Sequence, residues 1–132
     1  MTYEIVDIKK DESSVPAGFN SVVEESDVAA ITRFEGRDIL ISGFKKRYPM
    51  SAILWMWVQV PDKTHPTRSV REANRLATNA ANAGFTVLSA VKQSSKRDIR
   101  SAELSGFKID SELCNKYTCK GHVIMRFEHG DA

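Results

Sequence analysis

Asp62, His65 and Glu103 are the side chains of this sequence best suited to move a proton. Asp62 and His65 share the loop 61–68, and an imidazole titrates close enough to neutrality to act as a general base. A lone loop histidine is more often simply solvated, and Asp62 beside Lys63 reads equally well as a turn former or a loop ion pair. The loop contains no glycine, and Pro61 and Pro66 have no amide to donate. It therefore lacks the flexible, amide-rich backbone that wraps a diphosphate. Lys92, Lys96, Arg97 and Arg100, with Lys63 and Arg68, form a cationic set. They suit a phosphate-bearing ligand, an acidic protein surface or a solvated rim. No metal centre is expected: Cys114 and Cys119 have no second pair to complete a zinc site and read as reduced thiols on a terminal hairpin.

The stretch 52–107 must position these groups. Residues 52–60 are apolar almost throughout and predict a strand covered on both faces. Pro61 ends it, and the two prolines keep 61–68 non-helical. Ser69-Val70-Arg71-Glu72 is a capping-box pattern that starts a helix at Ser69. Val70, Ala73, Leu76, Ala77, Ala80 and Ala83 recur on one face of it, small enough to lie close against a sheet, and Gly84 stops it. Residues 85–91 are the next strand. This order predicts a right-handed βαβ crossover with parallel strands. Ligands meet such sheets at the carboxyl ends of the strands, which gathers 59–69 and 92–95 around one site. Trp55 and Trp57 share a strand face, either as an aromatic wall for a partner or as core beneath the alanine-rich helix.

Upstream, 3–8 alternates as a strand, 9–20 is a polar loop, and 21–27 holds a short helix or a strand end. Residues 28–34 and 39–44 form a hairpin about Glu35-Gly36-Arg37-Asp38, followed by the basic linker 45–49. Downstream, Ser95 caps a short helix 96–105 with Gly106 as its stop, 107–110 begins a strand, and 114–119 with 121–128 makes a last strand or hairpin. The edge at 121–128 offers a place for a second copy to pair.

The chain of 132 residues reads as one domain, 1–132, large enough for a core. Its net charge of +2 is too small to point to nucleic acid, and exposed aromatics between the cations, which single strands need, are lacking. No apolar run reaches membrane-spanning length and Met1-Thr2-Tyr3-Glu4 begins no signal peptide, so the expected setting is a cytoplasm or a particle assembled in it.

The element order resembles the GNAT superfamily of acyl-CoA-dependent N-acetyltransferases over residues 28–127. Its most specific part is 87–109, where a strand, a turn, a short helix and Gly106-Phe107 follow in that family's order. The resemblance implies an α+β, three-layer fold: a mixed, mostly antiparallel sheet with a central βαβ crossover and few helices. It implies acetyl-CoA as the donor, lying along Trp57, Val58, Gln59 and Val60, with Arg68 and Ser69 at the start of the phosphate-binding helix and Ser95 where the family has an Asn. It also exposes departures. The glycine-rich phosphate loop is missing, and Ala102 stands where a general-acid Tyr is common. A degenerate subset, the small internal virion proteins of short-tailed phages, is similar in the pair Ile99-Arg100 and in a strand that ends there in Trp-x-Val, whereas here Trp57 is followed directly by Val58. That resemblance implies a phage accessory or virion protein in the host cytoplasm or the particle. It would bind a protein partner, with no cofactor and no membrane. The alternative is an active N-acetyltransferase with an atypical donor loop.

Overall fold

The computed structural model describes residues 3–7, 15–19, 21–46, 51–116 and 120–128. Period-two segments become the strands β1 (Tyr3–Asp7), β2 (Val28–Phe34), β3 (Arg37–Lys45), β4 (Ile53–Gln59), β5 (Thr86–Lys92), β6 (Phe107–Ile109) and β7 (His122–Phe127). Between them lie α1 (Ser21–Glu25), α2 (Pro66–Asn82), α3 (Lys96–Leu104) and α4 (Ser111–Lys116). The strands form one sheet in the order β1-β2-β3-β4-β5-β7-β6. All neighbours are antiparallel except β4 and β5, the parallel pair joined by α2. The fold is α+β, as expected, and the crossover lies where the sequence places it.

Helices cover both faces. On one, Leu40, Met56, Val87 and Met125 pack beneath Ala73, Ala77 and Ala80 of α2, with Ile99 and Ala102 of α3 against the same cluster. On the other, Val22 and Val23 of α1 close over Ile31 and Ile41, while Leu113 and Cys114 of α4 pack on Trp55, Leu88 and Ile124. Each of these large side chains stabilises the fold by about 1.5–3 kcal/mol on burial. The small face of α2 explains its close approach, and an added Cβ on Gly43 would likewise lie 2.8 Å from Val22 under α1.

The tryptophans are not the core beneath α2. Alternation puts Leu54 and Met56 on that face, so Trp55 and Trp57 point to the opposite one, under α1 and α4. α2 begins at Pro66, inside the loop expected to be non-helical. Proline at the first helical position has a suitable φ and gives up no needed amide bond. The capping box does not form: Ser69 lies within the first turn, and His65 is the N-cap without a side-chain cap bond. The hairpin turn is the two-residue Glu35-Gly36, both with positive φ (52° and 77°), so β3 starts at Arg37. Cys114 sits on α4 rather than on a hairpin, because Asp110 caps a short helix by accepting from the Leu113 amide. β7 lies between β5 and β6, so the edge expected at 121–128 does not exist. The edges are β1 and β6. Cys119 and parts of the loop 9–20 and the linker 45–49 fall outside the described residues. No helix of the described residues is long and apolar enough to cross a membrane.

Candidate functional site

The site is built where the parallel pair comes apart. β4 and β5 are in register only from Ile53, Leu54 and Trp55 to Thr86, Val87 and Leu88. Beyond that, β4 stays with β3 as far as Gln59, and β5 stays with β7 as far as Lys92. The backbone groups of 56–59 and 89–92 that face each other across the opening therefore have no ladder to join. Val58 is exposed on the α2 side. On the other side Trp57 is half-buried between the two apolar clusters. Gln59 follows it, and its Oε1 is buried with no hydrogen-bond partner among the described residues. Such an acceptor suits a ligand donor entering the opening.

The loop that follows β4 is largely bonded to itself. The Asp62 amide donates to the Asp38 carbonyl at 3.0 Å. The Asp62 carboxylate accepts from the Thr64 amide at 3.0 Å, from the Thr64 hydroxyl and from Arg37 at 3.1 Å. Those bonds, the Thr64 hydroxyl first, lower the Asp62 pKa to about 2 and leave it a feeble base. His65 packs edge-on against Phe34, ring centroids 5.2 Å apart, and Arg68 lies over the same ring at 3.9 Å. Ser69 is buried. Its amide donates to the His65 carbonyl and its hydroxyl to the Ile39 carbonyl at 2.8 Å. Pro61 and Pro66 have no amide. Of the backbone donors between 61 and 69, at most those of Lys63, His65, Thr67 and Arg68 remain for a ligand.

α3 supplies the remaining candidates. Ser95 is its N-cap, and the hydroxyl accepts from the Asp98 amide at 3.3 Å. Glu103 is exposed near the far end of the helix, roughly 10 Å along the axis from Lys96. The structure thus places Trp57, Val58, Gln59, Val60, Asp62, His65, Arg68 and Ser69 at one end of the sheet, with Ser95 at the end of β5. It does not bring Glu103 to Asp62 and His65. Among the described residues no three His, Cys, Asp or Glu side chains gather as metal ligands would.

Sequence reasoning missed two groups. Phe34 is the platform that holds both His65 and Arg68, and nothing in a strand-terminal Phe signals that role. Glu72 is buried, accepting from Thr32 Oγ1 at 3.0 Å and from Arg75 at 2.5 and 2.8 Å. The Arg75 bond, with Thr32 adding to it, holds its carboxyl below the usual range against the opposing effect of burial. The i,i+3 spacing of Glu72 and Arg75 was the available signal.

No protein-family model matches the sequence, and no curated protein matches it. Solved structures do match. An IAA acetyltransferase from Bacillus cereus is similar with a TM-score of 0.64 at 13% identity, over 96% of this chain and 99% of that one. A Bacillus subtilis acetyltransferase, solved in complex with CoA, is similar with a TM-score of 0.65 at 12% identity, again over 96% and 99%. At these identities the likeness is one of fold: the chain has the fold of GNAT acetyltransferases.

Proposed function

We propose that this chain is a GNAT-fold binding protein that does not use acyl-CoA. The observation that carries this reading is the self-bonded loop 61–69. Two of its residues lack amides, three amides are hydrogen-bonded within the protein, and its histidine and arginine lie on Phe34. A diphosphate needs several convergent amides at a helix start. The absence of a Tyr at Ala102, which is half-buried against the core, removes the common proton donor as well. The pair Ile99-Arg100 supports a phage accessory or virion-associated role with a protein partner.

Acyl transfer is the second reading, and the opening between β4 and β5, with Gln59 Oε1 unpartnered among the described residues, favours it. In that reading acetyl-CoA would lie along 57–60, its phosphates near Arg68 and the start of α2, and His65 would be the base. Calorimetric titration with acetyl-CoA separates the two. The binding reading expects no heat of binding at millimolar ligand. Saturable binding tighter than about 100 µM, which would stabilise the fold measurably at that concentration, would reverse the preference.

A further inference from the structure

Five cations converge where β5 ends. Lys92 is the last residue of β5 and pairs in register with His122 of β7. Lys120 stands just before that strand, and the Gln93 amide donates to the Gly121 carbonyl, tying the two segments together. Ser95 donates its amide to the Lys92 carbonyl and caps α3, so Lys96, Arg97 and Arg100 follow at once on the same edge. All five are exposed, and none forms an ion pair with a described residue. Elsewhere the contrast is clear: Arg33, Arg37, Arg75, Lys108 and Arg126 are each paired with a carboxylate.

The outer face of α3 adds an apolar group. Ile99 and Ala102 face the core, and the helical period then turns Arg97, Arg100 and Leu104 to solvent, with Leu104 57% exposed. A diffuse phosphate site gains nothing from an exposed leucine, and α3 itself carries no Phe, Tyr or Trp for base stacking. A protein segment carrying carboxylates and an apolar side chain matches both features.

We infer that the outer face of α3, with Lys92 and Lys120 beside it, is the docking surface for an acidic, partly apolar protein segment. The inference rests on the binding reading above and names its partner class. Fluorescence anisotropy with a labelled peptide of Glu-Glu-Leu repeats tests it, using Arg97→Glu with Arg100→Glu, Leu104→Ser and, as a control on α2, Arg71→Glu. Expected are salt-sensitive binding to the native chain and a loss of about tenfold or more in the double charge reversal. A smaller loss is expected in Leu104→Ser and none in Arg71→Glu. Equal binding by the native chain and the double variant, no binding at all, or tighter binding of a single-stranded DNA oligomer would overturn it. Titrating acetyl-CoA in the same samples keeps the two readings apart. Coenzyme binding with the peptide result intact removes only the non-catalytic reading, whereas loss of the peptide result without coenzyme binding removes only this surface.

Discussion

The Ser69 hydroxyl lies 2.8 Å from the Ile39 carbonyl oxygen, a bond from the first turn of α2 to a strand thirty residues earlier. It makes Ser69 a tie between helix and sheet rather than a helix cap or a phosphate ligand. The start of α2 is held further by Arg68 and His65 on Phe34.

Ser69→Ala should therefore cost about 1–3 kcal/mol, because it leaves a buried carbonyl without its donor. Urea unfolding is the measurement: the midpoint falls and the slope stays unchanged. If Ser69 were an exposed phosphate ligand, the midpoint would not move.

Glu72 makes stability depend on acid. Its folded pKa lies below its ordinary 4.5, chiefly because Arg75 bonds the carboxylate. Its contribution is thus present above the unfolded value and is lost as pH falls through the lowered folded value. Glu72→Gln should be less stable than the native chain near neutral pH and should flatten the decline below about pH 4.5. Thermal melts across that range check both effects.

Gly106 carries φ +107°, and a Cβ there would lie 2.7 Å from the Phe127 ring. Gly84 has φ +100° but nothing within 4 Å of the same added atom. Both substitutions by alanine incur backbone strain of order 1–3 kcal/mol. Gly106→Ala adds a clash and should melt lower than Gly84→Ala. Equal melting points would contradict the packing described at α3 and β7.

Ala77 is fully buried between α2 and the sheet. Ala77→Leu should lower stability by about 1–3 kcal/mol through overpacking, measured by chemical denaturation.

Much of this architecture is legible in residue patterns. The apolar run of β4, the alanine face of α2 and the positive-φ glycine after α3 leave few alternatives, and the βαβ order follows from them. What fails is instructive. Pro66 and the Ser69-Glu72 pair are competing start signals. Proline wins because Ser69 finds Ile39 and Glu72 finds Thr32 and Arg75, partners remote from the helix end. Period two shows that Trp55 and Trp57 share a face but not which face α2 covers. The polar segment of α4 has no apolar period to announce it. The parting of β4 from β5 depends on β3 and β7 holding their neighbours, which no local pattern encodes. Of the site, the loop residues were readable, while the Phe34 platform was not.

The central claim is that loop 61–69 holds no diphosphate. Dissociation constants for acetyl-CoA and for acetyl-pantetheine, which shares the thioester arm and lacks the phosphates, test it most directly. The account predicts that neither binds at millimolar concentration, and that any weaker binding is the same for both. Acetyl-CoA binding more tightly than acetyl-pantetheine by about tenfold or more, some 1.4 kcal/mol from the phosphates alone, would contradict it.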